Sequence, residues 1–149
     1  MRRATILIII LLSVLPKVLS QENLNIAPFF SSEFFEKNGV STLTVTGDNL
    51  KNTGIATYRS LTVTGNDEGS DQLSQAVKHD GAKAQTREVS YRDGKLYFGF
   101  YVLKPRAALN RYLLYLDRNE SGERKTTLIY LEGKGDTNKI KKFLNKKDL

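Results

Sequence analysis

The chain has 149 residues, with 23 basic and 16 acidic side chains, one histidine, no cysteine and no tryptophan. That length implies a single domain. The lack of cysteine excludes disulfides, thiolate zinc sites, iron–sulfur clusters and a cysteine nucleophile, and a lone histidine excludes a histidine-rich metal site.

Residues 1–20 read as a leader rather than as part of the fold. Arg2 and Arg3 give a positive start, and Ala4–Leu15 is apolar apart from Thr5 and Ser13. Val18 and Ser20 stand at the third and first positions before Gln21, as a secretory cleavage site requires. The apolar run is too short to span a bilayer core of about 30 Å. Cleavage near Ser20 is expected, giving a periplasmic or secreted protein whose membrane contact is at most peripheral. Without Arg2, Arg3 and Lys17, 20 basic residues face 16 acidic ones. Residues 134–149 hold six lysines and two aspartates, so residues 21–133 balance at 14 against 14. The basic excess belongs to the tail. A nucleic-acid binder carries its excess across a face, so no nucleic-acid partner is expected.

Pro28 suits the first turn of a helix, and Phe29, Phe30, Phe34 and Phe35 give an apolar stripe, so a helix is predicted over 28–38. Asn38-Gly39 ends it. Val40–Thr46 alternates and is rich in β-branched residues, which predicts a strand. Gly47–Gly54 reads as a connection and Ile55–Thr64 as a second strand. The strands share an ending, Leu43-Thr44-Val45-Thr46-Gly47 and Leu61-Thr62-Val63-Thr64-Gly65. Two copies are too few for a repeat array, and similar turns after similar strands are the plainer reading.

A helix is predicted over Asp67–Asp80, with Leu73, Ala76 and Val77 at helical spacing. Gln85–Tyr91 and Leu96–Leu103 flank Asp93-Gly94, a strong hairpin signal. Pro105 is expected to break the return strand. Asn110–Asp117 and Lys125–Glu132 form a second predicted hairpin around Arg118–Arg124. A final helix is predicted over Asp136–Lys147, capped by Asp136 or Thr137, with Ile140, Phe143 and Leu144 as its apolar face. Hairpins imply antiparallel pairing. The predicted fold is α+β: residues 21–149 form one domain, an antiparallel sheet of about six strands with N-terminal, middle and C-terminal helices packed largely on one face.

Certain residues also carry a resemblance: the leader, the Phe-rich first helix running into Gly39-Val40, and the Leu61-Thr62-Val63 strand before a polar helix. To these are added Leu128-Ile129-Tyr130-Leu131-Glu132-Gly133 and the short Lys-rich helix after it. Over most of residues 29–144 the chain resembles the small exported families of unknown function common in Bacteroidetes. The resemblance implies an α+β layout and an envelope location, and it carries over no catalytic residue.

Asp117-x-Asn119-x-Ser121-Gly122 matches the opening of a calcium loop, with oxygen ligands at positions one, three and five and glycine at six. The ninth position is Lys125 and the twelfth is Leu128 where a glutamate is needed. The same residues suit a hairpin turn, which is the favoured reading over a metal at Asp117, Asn119 and Ser121. Asn119-Glu120-Ser121 is also a glycosylation sequon. Asp67-Glu68-Gly69-Ser70-Asp71 suits the start of a helix, and His79 suits a helix end. No cofactor is expected.

Along 96–103, Leu96, Phe98, Phe100 and Val102 fall on one face, and Tyr97, Gly99, Tyr101 and Leu103 on the other. A half-buried strand would have a polar second face. Tyrosine joins an apolar ring to a polar tip and is enriched at interfaces. The reading is therefore a non-enzymatic binding module of the cell envelope. Its contact surface is a tyrosine face around Tyr97, Tyr101 and Tyr115, and its partner is an envelope or extracellular protein or glycan. Gly99 between Tyr97 and Tyr101 reads either as a point of close approach for a ligand or another backbone, or as a bulge. Two other readings stay open. One is a small carboxylate-dependent hydrolase. The other is binding to an anionic lipid or polysaccharide surface through Lys139, Lys141, Lys142, Lys146 and Lys147.

Overall fold

The computed structural model describes residues 23–146. The predicted leader 1–20 and Lys147 lie outside them. Six strands form one sheet: β1 (Val40–Thr46), β2 (Ile55–Thr64), β3 (Thr86–Arg92), β4 (Lys95–Arg106), β5 (Leu109–Glu120) and β6 (Glu123–Gly133). All neighbours are antiparallel, in the order β1-β2-β6-β5-β4-β3. β3 to β6 form a continuous meander, and β6 closes onto β2 with β1 outside it. The helices are α1 (Ser32–Phe35), a single turn, then α2 (Asp67–Ala82) and α3 (Thr137–Asn145). The α+β class and the antiparallel sheet agree with the sequence reading.

The placement of the helices does not. β5 reads Tyr112-Leu113-Leu114-Tyr115-Leu116 and β6 reads Leu128-Ile129-Tyr130-Leu131, apolar on both faces. Such strands need cover on both sides. On one face Leu113, Tyr115, Leu128 and Tyr130 pack with Leu73, Ala76 and Val77 of α2. On the other, Leu114, Leu116, Ile129 and Leu131 pack with Ile140 and Leu144 of α3. The helices therefore lie on opposite faces, not largely on one.

Among the described residues only two helices exceed a single turn. The predicted N-terminal helix becomes a 3-10 turn at Ala27–Phe30 followed by α1. Ser31 separates them. Its backbone is extended, and its Oγ donates to Pro28 O at 2.6 Å. A serine that hydrogen-bonds its own neighbourhood in this way competes with helix continuation. The caps of the other two helices are local. Asn66 Oδ1 accepts from Gly69 N at 3.0 Å at the start of α2, and Asp136 Oδ1 accepts from Lys139 N at 2.9 Å at the start of α3.

The meander turns at Asp93-Gly94, Ala107-Ala108 and Ser121-Gly122. All six residues have positive φ, the type I′ hallmark that matches strand twist. The first was legible as Asp-Gly. The second was not, because alanine carries no turn signal. β4 also continues through Pro105, which falls in a register shift between Leu103 and Arg106. A proline is tolerated there because a bulge asks for no ladder donor. The Leu43–Gly47 and Leu61–Gly65 segments are not equivalent in space. Leu61 is buried, while Leu43, opposite Ser60 on the edge strand, is 51% exposed.

Asp80 ties the N-terminal segment to α2. Asp80, in the last turn of α2 and only 4% exposed, accepts from Asn25 N (2.8 Å), Asn25 Nδ2 (2.9 Å) and Ile26 N (3.0 Å). These bonds seat Ile26, fully buried, in the α2-face core.

Two predictions follow from this geometry. Asp80→Ala leaves the buried Ile26 N–H unmatched and frees Asn25, so it should lower unfolding free energy by about 1–3 kcal/mol. Limited proteolysis should then cut between residues 24 and 31 before the rest of the domain. Conversely, Ala107→Asn with Ala108→Gly relieves left-handed strain of about 1 kcal/mol per position. Urea unfolding should show that double variant to be more stable than the parent.

Candidate functional site

A bulge shapes one end of the sheet. In the β3–β4 ladder Ser90 pairs with Phe98 but Tyr91 pairs with Leu96, so Tyr97 is the extra residue on β4. Bulges bend a strand and raise its local twist. Two consequences are visible. Leu96 turns onto the α2 face beside Tyr101, rather than lying with Phe98 and Phe100 as strict alternation requires. The β4–β5 ladder also ends at Phe98 and Leu116, while β5 runs on to Glu120. The β3–β4 and β5–β6 hairpins therefore splay apart beyond that point.

The gap between them is a notch of about 540 Å³. Arg92, Lys95, Tyr97 and Arg118 line it, with Asp67, Asp93, Asp117 and Arg124. The Arg92 guanidinium stacks over the Tyr97 ring at 4.2 Å. Arg124 is fully engaged. Its Nη2 donates to Asp117 Oδ2 at 2.7 Å, its Nη1 donates to Asp71 Oδ1 at 2.8 Å, and Asp67 Oδ1 lies 3.8 Å away. The bonds to Asp117 and Asp71 raise the Arg124 pKa further. Asp117 also accepts from the Tyr115 hydroxyl at 3.3 Å. Thr126 Oγ1 lies 2.8 Å from Ser70 Oγ and 3.3 Å from Asp117 Oδ1. This network ties the β5–β6 hairpin to the first turn of α2.

A groove of about 470 Å³ lies around the corner, on the α3 face. α3 is nine residues long; its Ile140 and Leu144 pack in the cluster of β2, β5 and β6 side chains, and its Lys141 reaches Glu88 of β3 and Phe100 of β4. Phe98, Phe100, Leu114 and Leu116 make its floor, and Glu88, Ser90, Arg118 and Lys141 its rim. Lys141 Nζ is paired with Glu88 and stands 5.2 Å from the Phe100 ring centre. Tyr97 and Arg118 line both the groove and the notch.

The three tyrosines of the predicted face have different fates. Tyr115 is fully buried and Tyr101 is 3% exposed, both beneath α2. They are core residues, and the face they were expected to present is the face that α2 covers. Tyr97, half-buried at the bulge, is the more exposed of the three and lines both the notch and the groove. The space over Gly99 is filled by the Tyr101 ring. A Cβ at Gly99 would stand 2.6 Å from that ring, and one at Gly81 of α2 would stand closer. The approach that Gly99 permits is thus made by its own strand.

Of the calcium-type residues, Asp117 belongs to the Arg124 network, Asn119 is exposed beside the notch, and Ser121 is a left-handed turn residue. The loop is a two-residue hairpin turn. Among the described residues no group of three or more His, Asp or Glu stands close enough to hold a metal ion. Asp67 and Asp71 face Arg124, and Asp67 and Glu68 sit in the first turn of α2. His79 is exposed while the neighbouring Asp80 is buried in the N-terminal clasp, so the two do not act as a pair. On α3, Ile140 and Leu144 dock on the sheet as expected and Lys139, Lys142 and Lys146 are exposed. Among the described residues no helix is long and apolar enough to cross a membrane. Arg118 was missed, because in sequence it reads only as a turn-flanking charge.

The fold and its two clefts define a two-sided α+β sandwich with a groove beside its C-terminal helix. Residues 14–144 match a family of unknown function (DUF6108), and the chain belongs to that family. No curated protein and no solved structure matches it.

Burial pushes the phenols of Tyr101 and Tyr115 up to about 12 from 10.0. A folded-state pKa above the unfolded one leaves stability intact below pH 10 and removes it as pH rises toward 12. Each tyrosine contributes a slope of roughly 1.4 kcal/mol per pH unit in that window. Urea titrations between pH 9 and 12 should show that fall, and Tyr115→Phe should make it shallower.

Proposed function

We propose that this protein is a non-enzymatic binding module of the cell envelope, exported by its leader, and that it takes an apolar ligand in the groove between α3 and strands β3–β5. The groove floor carries the reading. Phe98, Phe100, Leu114 and Leu116 line a concave surface whose rim is polar. Its volume of about 470 Å³ falls in the usual range of small-molecule sites, about 300–1,000 Å³. Sites of that kind join an apolar lining to a few placed polar groups, and Tyr97, Glu88, Arg118 and Lys141 supply them here. The contact surface is thus the α3 side of the sheet rather than the tyrosine face. Tyr97 is the member of that face that keeps a place in it. Export is supported by Arg2-Arg3 and the apolar run behind them.

Nile red, a neutral apolar dye, tests the groove. The parent should bind it saturably with a blue-shifted emission. Ser90→Trp, at an exposed rim position, should fill the groove and weaken binding at least about tenfold, a loss of about 1.4 kcal/mol. Its melting curve should stay unchanged. No saturable binding by the parent, or equal binding by both proteins, would overturn the reading.

A further inference from the structure

We propose that the notch and the groove are one site for a free single-chain amphiphile with an anionic head. The chain lies over Phe98, Leu114 and Leu116, and the head lies at Arg118. This rests on the binding reading above and adds the class of ligand.

Arg118 carries the argument. It follows Leu116 by two on β5, so it extends the apolar row of the groove floor and ends it with a charge. Its side chain is half-buried and lines both clefts. It makes no side-chain hydrogen bond and no ion pair among the described residues. Arg124 is held by Asp117 and Asp71, Lys125 by Glu120, and Lys141 by Glu88. A guanidinium drawn partly out of water without a carboxylate is costly, and an incoming anion recovers that cost.

The notch lining leans the same way: Arg92, Lys95, Arg118 and Arg124 stand against Asp67, Asp93 and Asp117, and Asp67 and Asp117 both lie at Arg124. Arg92 is already fixed over the Tyr97 ring, beside the junction. A bare inorganic anion would use the notch and leave the apolar floor unused, and a neutral chain would use the floor and leave Arg118 unmatched. A chain with an anionic end satisfies both. The groove is concave and bounded on one side by Lys141, Leu144 and Asn145 of α3. This shape suits a single free chain rather than a membrane surface.

Calorimetry with the full chain tests this, with decanoate and decanol as probes. The parent should bind decanoate at least about tenfold more tightly than decanol. Arg118→Gln should abolish that preference. Ser90→Trp should weaken both. Equal affinity of the parent for the two probes would overturn the anionic head while leaving the groove reading intact. Binding of neither probe would overturn the inference. So would cosedimentation with anionic vesicles in the absence of decanoate binding, which would point to Lys139, Lys142 and Lys146 instead.

Discussion

The structure depends on a pair of central strands with no polar face. β5 and β6 place leucine, isoleucine and tyrosine on both sides of the sheet, and a sheet of that kind is stable only as the middle layer of three. From this follow α2 with the N-terminal segment on one face and α3 on the other. The imbalance between those covers creates the groove. α2 has sixteen residues and an added clasp at Asp80, while α3 has nine. Burying a leucine-sized side chain is worth roughly 1.5–3 kcal/mol. The larger cover therefore seals its face, and the shorter one leaves part of the floor at the bottom of a cleft.

Electrostatics then fixes the end of the sheet. Arg124 reaches from β6 to Asp117 on β5 and to Asp71 on α2, so a single guanidinium joins a hairpin to a helix. Its geometry uses the planar fork of arginine, which lysine does not offer. Because the β5–β6 hairpin is held to α2 while the β3–β4 hairpin bends at Tyr97, the two diverge. The notch is the space between a tethered hairpin and a bent one.

Much of this was legible in the sequence. Strand alternation, the Asp93-Gly94 turn, the spacing of Leu73, Ala76 and Val77, and the Asp136 cap are local signals, and local signals survive into the fold. What was lost depended on contacts distant in sequence. The N-terminal helix shortened because Ser31 turned out of it. The Ala107-Ala108 turn has no composition to announce it, since the tight pairing of β4 with β5 imposes the strain. The bulge at Tyr97 shifts the face of Leu96 without any glycine or proline to mark it. For the site, the residue type was read well and the location less so. The apolar character of both sheet faces was plain, but the sequence does not say which face a helix will close. Tyr97 was found for its ring, whereas Arg118 required a view of which cations already have partners.

The packing of Tyr101 has a kinetic consequence. Its ring lies between Gly81 on α2 and Gly99 on its own strand, at a spacing where even a methyl group would intrude. A half-turn of the ring sweeps its edge toward both backbones, so flips of Tyr101 are expected to be slow and to follow local lifting of α2 from the sheet. Local opening of this sort spans a wide range of free energies below global unfolding. The exchange rate of the two sides of that one ring becomes a clock for the breathing of the whole upper layer.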